Sequence, residues 1–422
     1  MAILVIVLFL LLIALGIPIA FSLGISSLIY LLVAGVPLTV IPQTMFAGID
    51  SFVMLAIPAF ILAGNLMNAG GITNRIIDFA NAVVGRIRGG LALTNVASSL
   101  GFAGISGTAL SDTASIGSVM IPAMKNKGTG RVFSGSTSIS STVGPMLPPS
   151  LPMIIIGTLA SISIGDLFLA GAIPGILLAI GFLIVTYIIS VKRQYPKGEK
   201  QSLSTIGKTF LGAFWALIMV VIILWGILGG YFTPTEAAVV CVIYAFLVGK
   251  FVYRELNLKL VPSIIKNTLI STASILLLVG FANTFGWILV SEGVPLVIAD
   301  GILSITENPI FVILLIILLL LVLGMFMETI AALVILFPVL LPVATSIGMD
   351  PIHFGVVMVL ALMIGLSTPP VGVCLFVASS FAKVPITVTV RELLPFFAVA
   401  ILVLLIVAYV PQLSLFLPGL FE

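Results

Sequence analysis

The sequence predicts an all-α polytopic membrane protein, and two observations carry that prediction. Of the 422 residues, 61% are hydrophobic and only 7% are charged, whereas an ordinary soluble domain carries about 25% charged residues. The apolar residues also form repeated runs long enough to cross about 30 Å of hydrocarbon. The first run follows Met1 at once, with no basic segment and no cleavage site. We therefore expect a retained helix and not a removable signal peptide.

The basic residues predict how these runs are oriented. All 17 Lys and Arg residues fall into clusters that the positive-inside rule places in the cytoplasm. The clusters lie at 75–88, 125–131, 192–208, 250–266 and 383–391. The intervening loops carry only acids, so we expect them outside, with the N-terminus cytoplasmic and the C-terminus periplasmic.

Following the chain from side to side gives a set of ordinary spans. They lie near 3–33, 53–70, 132–158, 167–191, 208–230, 236–253, 267–290, 354–380 and 393–417. The segment 33–52 is expected outside as a loop with some interfacial helix. We divide the chain into N-terminal scaffold helices (1–70), a first repeat core (71–191), connecting scaffold helices (192–266), a second, inverted repeat core (267–392) and a C-terminal helix (393–422).

Two apolar segments do not fit as single crossings. Residues 91–122 have basic clusters at both ends, which places both ends in the cytoplasm. Residues 310–346 lie between Glu307 and Asp350, which places both ends outside. We expect two re-entrant helical hairpins that open to opposite faces. The alternative in each case is a pair of ordinary crossings joined by a tight turn, which preserves the same sidedness.

A shared spacing indicates an internal repeat. In each half a threonine in the hairpin is followed after 40 residues by a proline pair, and a glycine stands four residues before that pair. The positions are Thr108, Gly144 and Pro148-Pro149 in the first half, and Thr329, Gly365 and Pro369-Pro370 in the second. Because charge placement gives the halves opposite orientation, we predict an inverted repeat, which is a recurring plan of secondary transporters.

The proline pairs predict two broken helices. Residues 144–152 contain four prolines, which remove backbone donors and disrupt the preceding turn, and residues 365–372 are similar. Carbonyls freed at membrane depth are tolerated only where they face protein, water or an ion. Together with the hydroxyls of Ser150, Ser367 and Thr368 they suit a hard cation such as Na⁺. The alternative is a proline kink whose freed groups bond to neighbouring Ser and Thr.

Two carboxylates, Asp112 and Glu328, fall inside the hairpins. A carboxylate in the membrane costs about 2.5–3.5 kcal/mol, so each is a candidate functional group, with a neutral or hydroxyl-bonded structural carboxyl as the alternative. The polar run 106–115 contains no Lys or Arg. An acidic solute would therefore be held by helix N-termini, amides and hydroxyls, with Na⁺ nearby.

Motifs of other protein classes are missing from the sequence. It has no Walker pattern, no His-Glu-x-x-His and no Cys-x-x-Cys, which argues against ATP coupling, enzymatic activity and a transition-metal site. Its two cysteines, Cys241 and Cys374, lie in apolar stretches as packing residues. The basic clusters follow the orientation of the chain and need no nucleic-acid partner.

Taken together, the motifs resemble the large membrane subunit of tripartite ATP-independent periplasmic (TRAP) transporters over essentially the whole chain. The motifs are Gly-Thr-x-x-Ser-Asp-Thr-Ala-Ser-Ile-Gly at 107–117, Gly-Pro-Met-Leu-Pro-Pro-Ser at 144–150, Gly-x-x-x-Glu-Thr at 324–329 and Ser-Thr-Pro-Pro-Val-Gly at 367–372. The chain as a whole looks closest to the sialic acid members, although no single residue carries that likeness.

The resemblance implies Na⁺-coupled uptake of an acidic organic solute across the bacterial inner membrane by an elevator mechanism, with no cofactor besides the coupling ion. Sialic acid is the first expectation, and the alternatives are a C4-dicarboxylate or other carboxylate permease, or a stand-alone carboxylate/Na⁺ symporter. The resemblance also implies a periplasmic substrate-binding protein and a small four-helix membrane subunit. Because Met1 opens directly on the large subunit, we expect that small subunit to be a separate chain.

Site residues carried over by position fall into three groups. One Na⁺-binding half would comprise Ser106, Gly107, Thr108, Gly144 and Pro145, with Asp112 beside them. The other half would comprise Gly324, Glu328, Thr329, Gly365, Ser367 and Thr368. The expected substrate-binding residues are Ser111, Asp112, Thr113 and Ser150.

Overall fold

The computed structural model confirms the all-α class. It describes residues 2–126, 130–198, 201–306, 308–369 and 372–421. Within those ranges the regular structure is helical, apart from one isolated β-bridge between Arg88 and Lys197. Pro370 and Glu307, which the sequence singled out, lie outside the described residues.

The α-helices are numbered in chain order. They are α1 (Ala2–Ala14), α2 (Ile19–Ala34), α3 (Val40–Ile49), α4 (Ala56–Ala69), α5 (Ile72–Val84), α6 (Gly90–Ser106), α7 (Ala109–Asn126), α8 (Gly130–Ser140), α9 (Leu151–Ala160), α10 (Ile164–Lys192), α11 (Leu203–Leu228), α12 (Pro234–Leu247), α13 (Val261–Ser291), α14 (Val294–Ile305), α15 (Pro309–Gly324), α16 (Thr329–Ser346), α17 (Pro351–Leu366), α18 (Val373–Ala382), α19 (Ile386–Tyr409), α20 (Gln412–Leu415) and α21 (Pro418–Phe421). Short 3₁₀ turns precede α4 (Phe52–Leu55), follow α8 (Ser141–Met146) and precede α13 (Leu258–Leu260), and a π turn (Val248–Val252) extends α12.

Many of these helices can cross a membrane. Among the described residues, seven are long and apolar enough, and an eighth span is possible if Gly135–Met146 and Leu151–Ala160, bent by 42°, are one broken crossing. The chain is therefore a multi-pass membrane protein.

The predicted single span 3–33 is wrong, because the structure has two short helices there. Gly16 adopts a left-handed backbone conformation, with φ +83°, and Pro18 cannot continue a helix that runs into it. The chain therefore ends α1 and restarts as α2, and these two helices pack against each other. The segment 33–52 contains α3, which packs on α13.

A framework of long helices surrounds the repeat cores. Helix α4 packs against α12 and α13, and α13 also packs against α2 and α3. The amphipathic α5 lies on α11. Arg75 ties α5 to the segment that follows α12, since its guanidinium pairs with Glu255 at 2.8 Å and stacks over the Tyr253 ring at 3.9 Å.

Both predicted hairpins are present. Helices α6 and α7 form the first, over 90–126, and α15 and α16 form the second, over 309–346. Their arms have 16 to 18 residues, and at 1.5 Å per residue each is about 24–27 Å long. Of these four arms only α16 is among the seven helices long and apolar enough to cross, so the other three can end inside the membrane.

Both predicted broken helices are also present, as α8 with α9 and as α17 with α18.

The predicted C-terminal helix 393–417 differs from the structure, where α19 begins at Ile386 and ends at Tyr409, and two one-turn helices follow. The end is explained by Pro411, which cannot donate the next backbone hydrogen bond.

Candidate functional site

Each hairpin tip lies against the break of its own broken helix. The Leu151 N–H donates to the Gly107 carbonyl at 3.4 Å, and the Gly372 N–H donates to the Met325 carbonyl at 3.3 Å. Leu151 and Gly372 hold equivalent places in the two halves, each three residues after the first proline of its pair. The donors of these two contacts therefore follow the sequence repeat, whereas the acceptors do not, because Gly107 and Met325 are not equivalent positions.

The two halves meet in the interior of the protein. A cavity of about 30 Å³ is lined by both tips and both breaks. Its lining includes Thr108 and Pro145 from the first half and Glu328, Thr329 and Val373 from the second. A space of this size can hold a water molecule or a small ion.

In the first half, hydrogen bonds hold the break in place. The Ser150 hydroxyl donates to the Pro145 carbonyl and accepts from the Met153 N–H at 3.3 Å, which caps α9. Gly144 and Pro145 are buried in the 3₁₀ turn. Gly107 turns the tip with φ +64°, a conformation that favours glycine. The Ser106 side chain lies outside the described residues.

In the second half, two glycines bring the hairpin and the break together. A Cβ on Gly365 would lie 2.7 Å from the Gly324 Cα, so neither position has room for a side chain. Glu328 caps α16, because its Oε2 accepts from the Ile330 N–H at 2.9 Å and the Ala331 N–H at 3.2 Å. The α16 N-terminus thereby stabilises a negative charge at the tip.

The hydroxyls of the second half have different partners. Thr368 donates to the Ile364 carbonyl of its own helix at 2.7 Å. Ser367 donates at 2.8 Å to the carbonyl of Ser138, which belongs to the first half. This hydrogen bond ties the two broken helices to each other.

Asp112 lies in a buried polar cluster behind the first tip. Its side chain is fully buried, and neither carboxyl oxygen has a hydrogen-bond partner. Ser99 is close enough to influence this carboxyl, but the pair does not meet hydrogen-bond geometry. The hydroxyls of Ser98 and Ser138 are likewise buried without a partner. Such groups are costly unless they bind something polar.

A hydrogen-bonded network surrounds that carboxyl. The Ser99 and Ser140 hydroxyls are 3.1 Å apart, and the Thr113 hydroxyl donates to Ser141 at 2.6 Å. Asn95 accepts from the Thr137 hydroxyl at 3.1 Å. The predicted Thr113 therefore belongs to the buried network.

A larger cavity of about 500 Å³ lies between the hairpins and the framework. Its polar lining consists of Asn65, Asn68, Thr108, Ser111, Ser271, Ser274 and Glu328. Of the four predicted substrate residues, Ser111 lines this cavity, whereas Asp112, Thr113 and Ser150 are buried elsewhere. The described lining contains no Lys, Arg or His.

Sequence reasoning missed the framework side of this cavity. Asn65 and Asn68 lie on α4, and Ser271 and Ser274 lie on α13. Within each pair the spacing is three residues, which places both side chains on one face of a helix. Polar pairs at that spacing in otherwise apolar spans were the signal that could have found them.

The fold defines a class, that of polytopic membrane proteins with an elevator-type fold. The structure is similar to the MtrF efflux pump of Neisseria gonorrhoeae, with TM-score 0.61, 13% identity and coverage of 90% of this chain and 83% of that one. It is also similar to the YdaH transporter of Alcanivorax borkumensis, with TM-score 0.54, 14% identity and coverage of 89% and 88%. At these identities the likeness concerns the fold alone.

Sequence comparison then identifies the family. The family model described as "Tripartite ATP-independent periplasmic transporter, DctM component" matches residues 6–413, and the chain belongs to that family. It is a transporter subunit and not an enzyme. Permeases of this family work with a small membrane subunit and a periplasmic binding protein.

Curated relatives cover nearly the whole chain. The sialic acid TRAP transporter large permease SiaM of Vibrio cholerae is 43% identical over 96% of both chains. The isethionate TRAP transporter permease DctMQ of Oleidesulfovibrio alaskensis is 41% identical over 97% of this chain and 65% of its own length. The C4-dicarboxylate TRAP transporter large permease DctM of Rhodobacter capsulatus is 36% identical over 96% of both.

Proposed function

We propose that this chain performs Na⁺-coupled uptake of an acidic organic solute, which a periplasmic binding protein delivers. Sialic acid is the first candidate for the solute. The relatives named above carry sialic acid, isethionate or C4-dicarboxylates by name, and all of these are organic anions. The expected complex includes a four-helix membrane subunit.

One observation carries this proposal: both tips and both breaks converge on the 30 Å³ cavity, directly beside the 500 Å³ cavity. Thr108, Glu328 and Ile330 line both cavities. An ion in the small cavity and a solute in the large one would therefore touch the same residues. Because Na⁺ and an organic anion carry opposite charges, binding at such a short separation would make each favour the other, which is what coupling requires.

The cation is assigned to the oxygens of the tips and breaks. Carbonyls freed by the prolines, with the Thr108 and Thr329 hydroxyls and the Glu328 carboxylate, form a set of hard ligands of the kind that suits Na⁺. Asp112 would supply a second negative charge behind the first tip. The bound Na⁺ would neutralise these carboxylates and would supply, beside an anionic solute, the positive charge that no basic side chain of the described lining provides.

The solute is assigned to the larger cavity. Its volume lies within the usual range of about 300–1,000 Å³ for small-molecule sites, and hydroxyls and amides line both sides of it. A polyhydroxylated acid such as sialic acid could use donors on α4 and α13 as well as Ser111. A C4-dicarboxylate has no hydroxyl-rich tail, so it would form fewer hydrogen bonds with the polar side chains on α4 and α13.

In the proposed elevator motion, hairpins and broken helices move together against the framework. Ser367 and Ser138 hold the two halves of the moving part together. By contrast, the Asn68 amide donates to the Ser115 hydroxyl at 3.2 Å, between α4 of the framework and α7 of the first hairpin. We assign this contact to one end of the motion.

Reconstitution into liposomes tests this function. The purified chain with its four-helix partner and the cognate binding protein should accumulate labelled N-acetylneuraminate when Na⁺ is outside, and choline should not replace Na⁺. Succinate as competitor tests the dicarboxylate alternative, which is favoured if succinate blocks uptake at equal concentration. Uptake that proceeds without any binding protein would overturn the tripartite assignment, and uptake without Na⁺ would overturn the coupling.

A further inference from the structure

A third cavity, of about 600 Å³, plays no part in the proposed transport cycle. It lies between α5, α6, α10 and α11. Every described lining residue is apolar, which makes the cavity unsuitable for an acidic solute or an ion. We propose that it binds an acyl chain of an anionic phospholipid.

The cavity opens toward the lipid. Among its lining residues, Val83 is 44% exposed, Ile176 46% and Val221 61%. Helices α10 and α11, both spanning helices, make little contact with each other. The gap between them therefore gives an acyl chain a lateral entrance from the membrane.

The wall provided by α5 fits this occupant. Its residues Ile76, Phe79, Ala80 and Val83 follow the spacing of one helical face, as in a helix that lies at the membrane interface with its apolar side inward. The opposite end of the cavity reaches Gly104 in the last turn of α6. The bound acyl chain would thus extend from the membrane interface toward the tip of the first hairpin.

A basic side chain beside the mouth, that of Arg86, selects the headgroup. Arg86 follows the last lining residue of α5 by two positions, and it is exposed. Lys208 is also exposed, but it precedes the lining residue Ala213 by five positions and therefore lies on the face of α11 that is turned away from the cavity. The Phe79 and Phe210 rings, 5.5 Å apart, bring these two segments together. Basic groups at the ends of spanning helices attract anionic headgroups.

Native mass spectrometry tests the cavity with defined lipids, phosphatidylglycerol and phosphatidylcholine in equal amounts. Ala172→Phe, which fills the cavity from α10, should remove most retained lipid. Leu402→Phe on the exposed face of α19 is the matched control and should retain it. Equal retention in the two variants would overturn the proposal.

The charge at the mouth is tested separately. Arg86→Gln should weaken the preference for phosphatidylglycerol by about five-fold. The exposed Lys259 and Lys266 serve as controls, and their Gln variants should keep the preference. An unchanged preference in Arg86→Gln would refute the role of this residue.

A labelling experiment on the unaltered protein does not depend on any variant folding. Phosphatidylglycerol with a diazirine near the end of one acyl chain should label the peptide around Gly104 or that around Pro148. Labels confined to other helices would contradict the proposal. Loss of this label when the four-helix subunit is bound would assign the cavity to that protein partner instead.

Discussion

At the scale of single residues, Asp112 and Glu328 show how one chemical group can be used in two ways. The Glu328 carboxylate completes the N-terminus of α16 with two backbone hydrogen bonds. Asp112 has no such partner for either oxygen and is fully buried. The first carboxylate thus has a structural use besides any functional one, whereas the second has none in the described structure.

The Asp112→Asn variant separates ligation from structure. If Asp112 binds the coupling cation, the half-saturating Na⁺ concentration for uptake should rise roughly 10- to 100-fold, the usual loss for a contact to a charged group. The unfolding temperature in Na⁺-free buffer should not fall, because no hydrogen bond is lost. Asp166→Asn, at the exposed start of α10, is the control. An unchanged Na⁺ titration in Asp112→Asn would remove this residue from the ion site.

Glu328 requires a pair of variants. Glu328→Gln keeps an acceptor for the α16 cap and removes the charge, so uptake should fall while stability is maintained. Glu328→Ala also loses the cap and should destabilise the protein by about 1 kcal/mol. Uptake and thermal unfolding are measured for both variants.

Asp350 is the control for that pair, since it caps α17 in the same way, with its Oδ1 accepting from Ile352 at 2.8 Å. Asp350→Ala should lower stability but leave the Na⁺ dependence intact. Full uptake by Glu328→Gln would show that its charge has no role in transport.

At the scale of elements, the site depends on how closely a hairpin approaches its broken helix. The prolines end the first half of each broken helix, and the tip fills the space beyond it. In the second half this approach is backbone to backbone, because Gly324 and Gly365 face each other. The break is therefore stabilised by packing as well as by hydrogen bonds.

Gly365→Ala tests that packing. The added Cβ would lie 2.7 Å from the Gly324 Cα, so tip and break must separate. We expect a loss of about 1–3 kcal/mol in stability, typical of overpacking, together with weaker Na⁺-dependent uptake. Gly286→Ala within α13 meets no atom within 4 Å and should be neutral or slightly stabilising. Equal unfolding temperatures for the two variants would contradict this account of the break.

At the scale of the whole molecule, two interhelical contacts of α4 bear on the proposed elevator motion. The Asn65 amide donates to the Thr268 hydroxyl of α13 at 3.0 Å, within the framework. The Asn68 amide donates to Ser115 of the first hairpin. The two contacts lie one turn apart on α4 but would behave differently during an elevator motion.

Cross-linking compares them directly. In a background without Cys241 and Cys374, a short bifunctional thiol reagent joins cysteines placed at 68 and 115 or at 65 and 268. The 68–115 link should abolish uptake, because it ties the hairpin to the framework, and the 65–268 link should leave uptake largely intact. Normal uptake by the fully linked 68–115 protein would exclude motion between these elements.

The sequence by itself determined the class, the two hairpins, the two breaks and the repeat that relates them, because hydrophobic run length, charge placement and proline spacing act locally along the chain. It failed where a local break interrupts an apolar run, as at Gly16 and Pro18. Only the tertiary structure decided which polar groups meet. It placed Ser111 on a cavity and Asp112, one residue later, in a buried cluster, since neighbouring residues on a helix point about 100° apart. It also brought Asn65 and Ser271 to the same cavity, because packing between distant helices leaves no trace in local spacing.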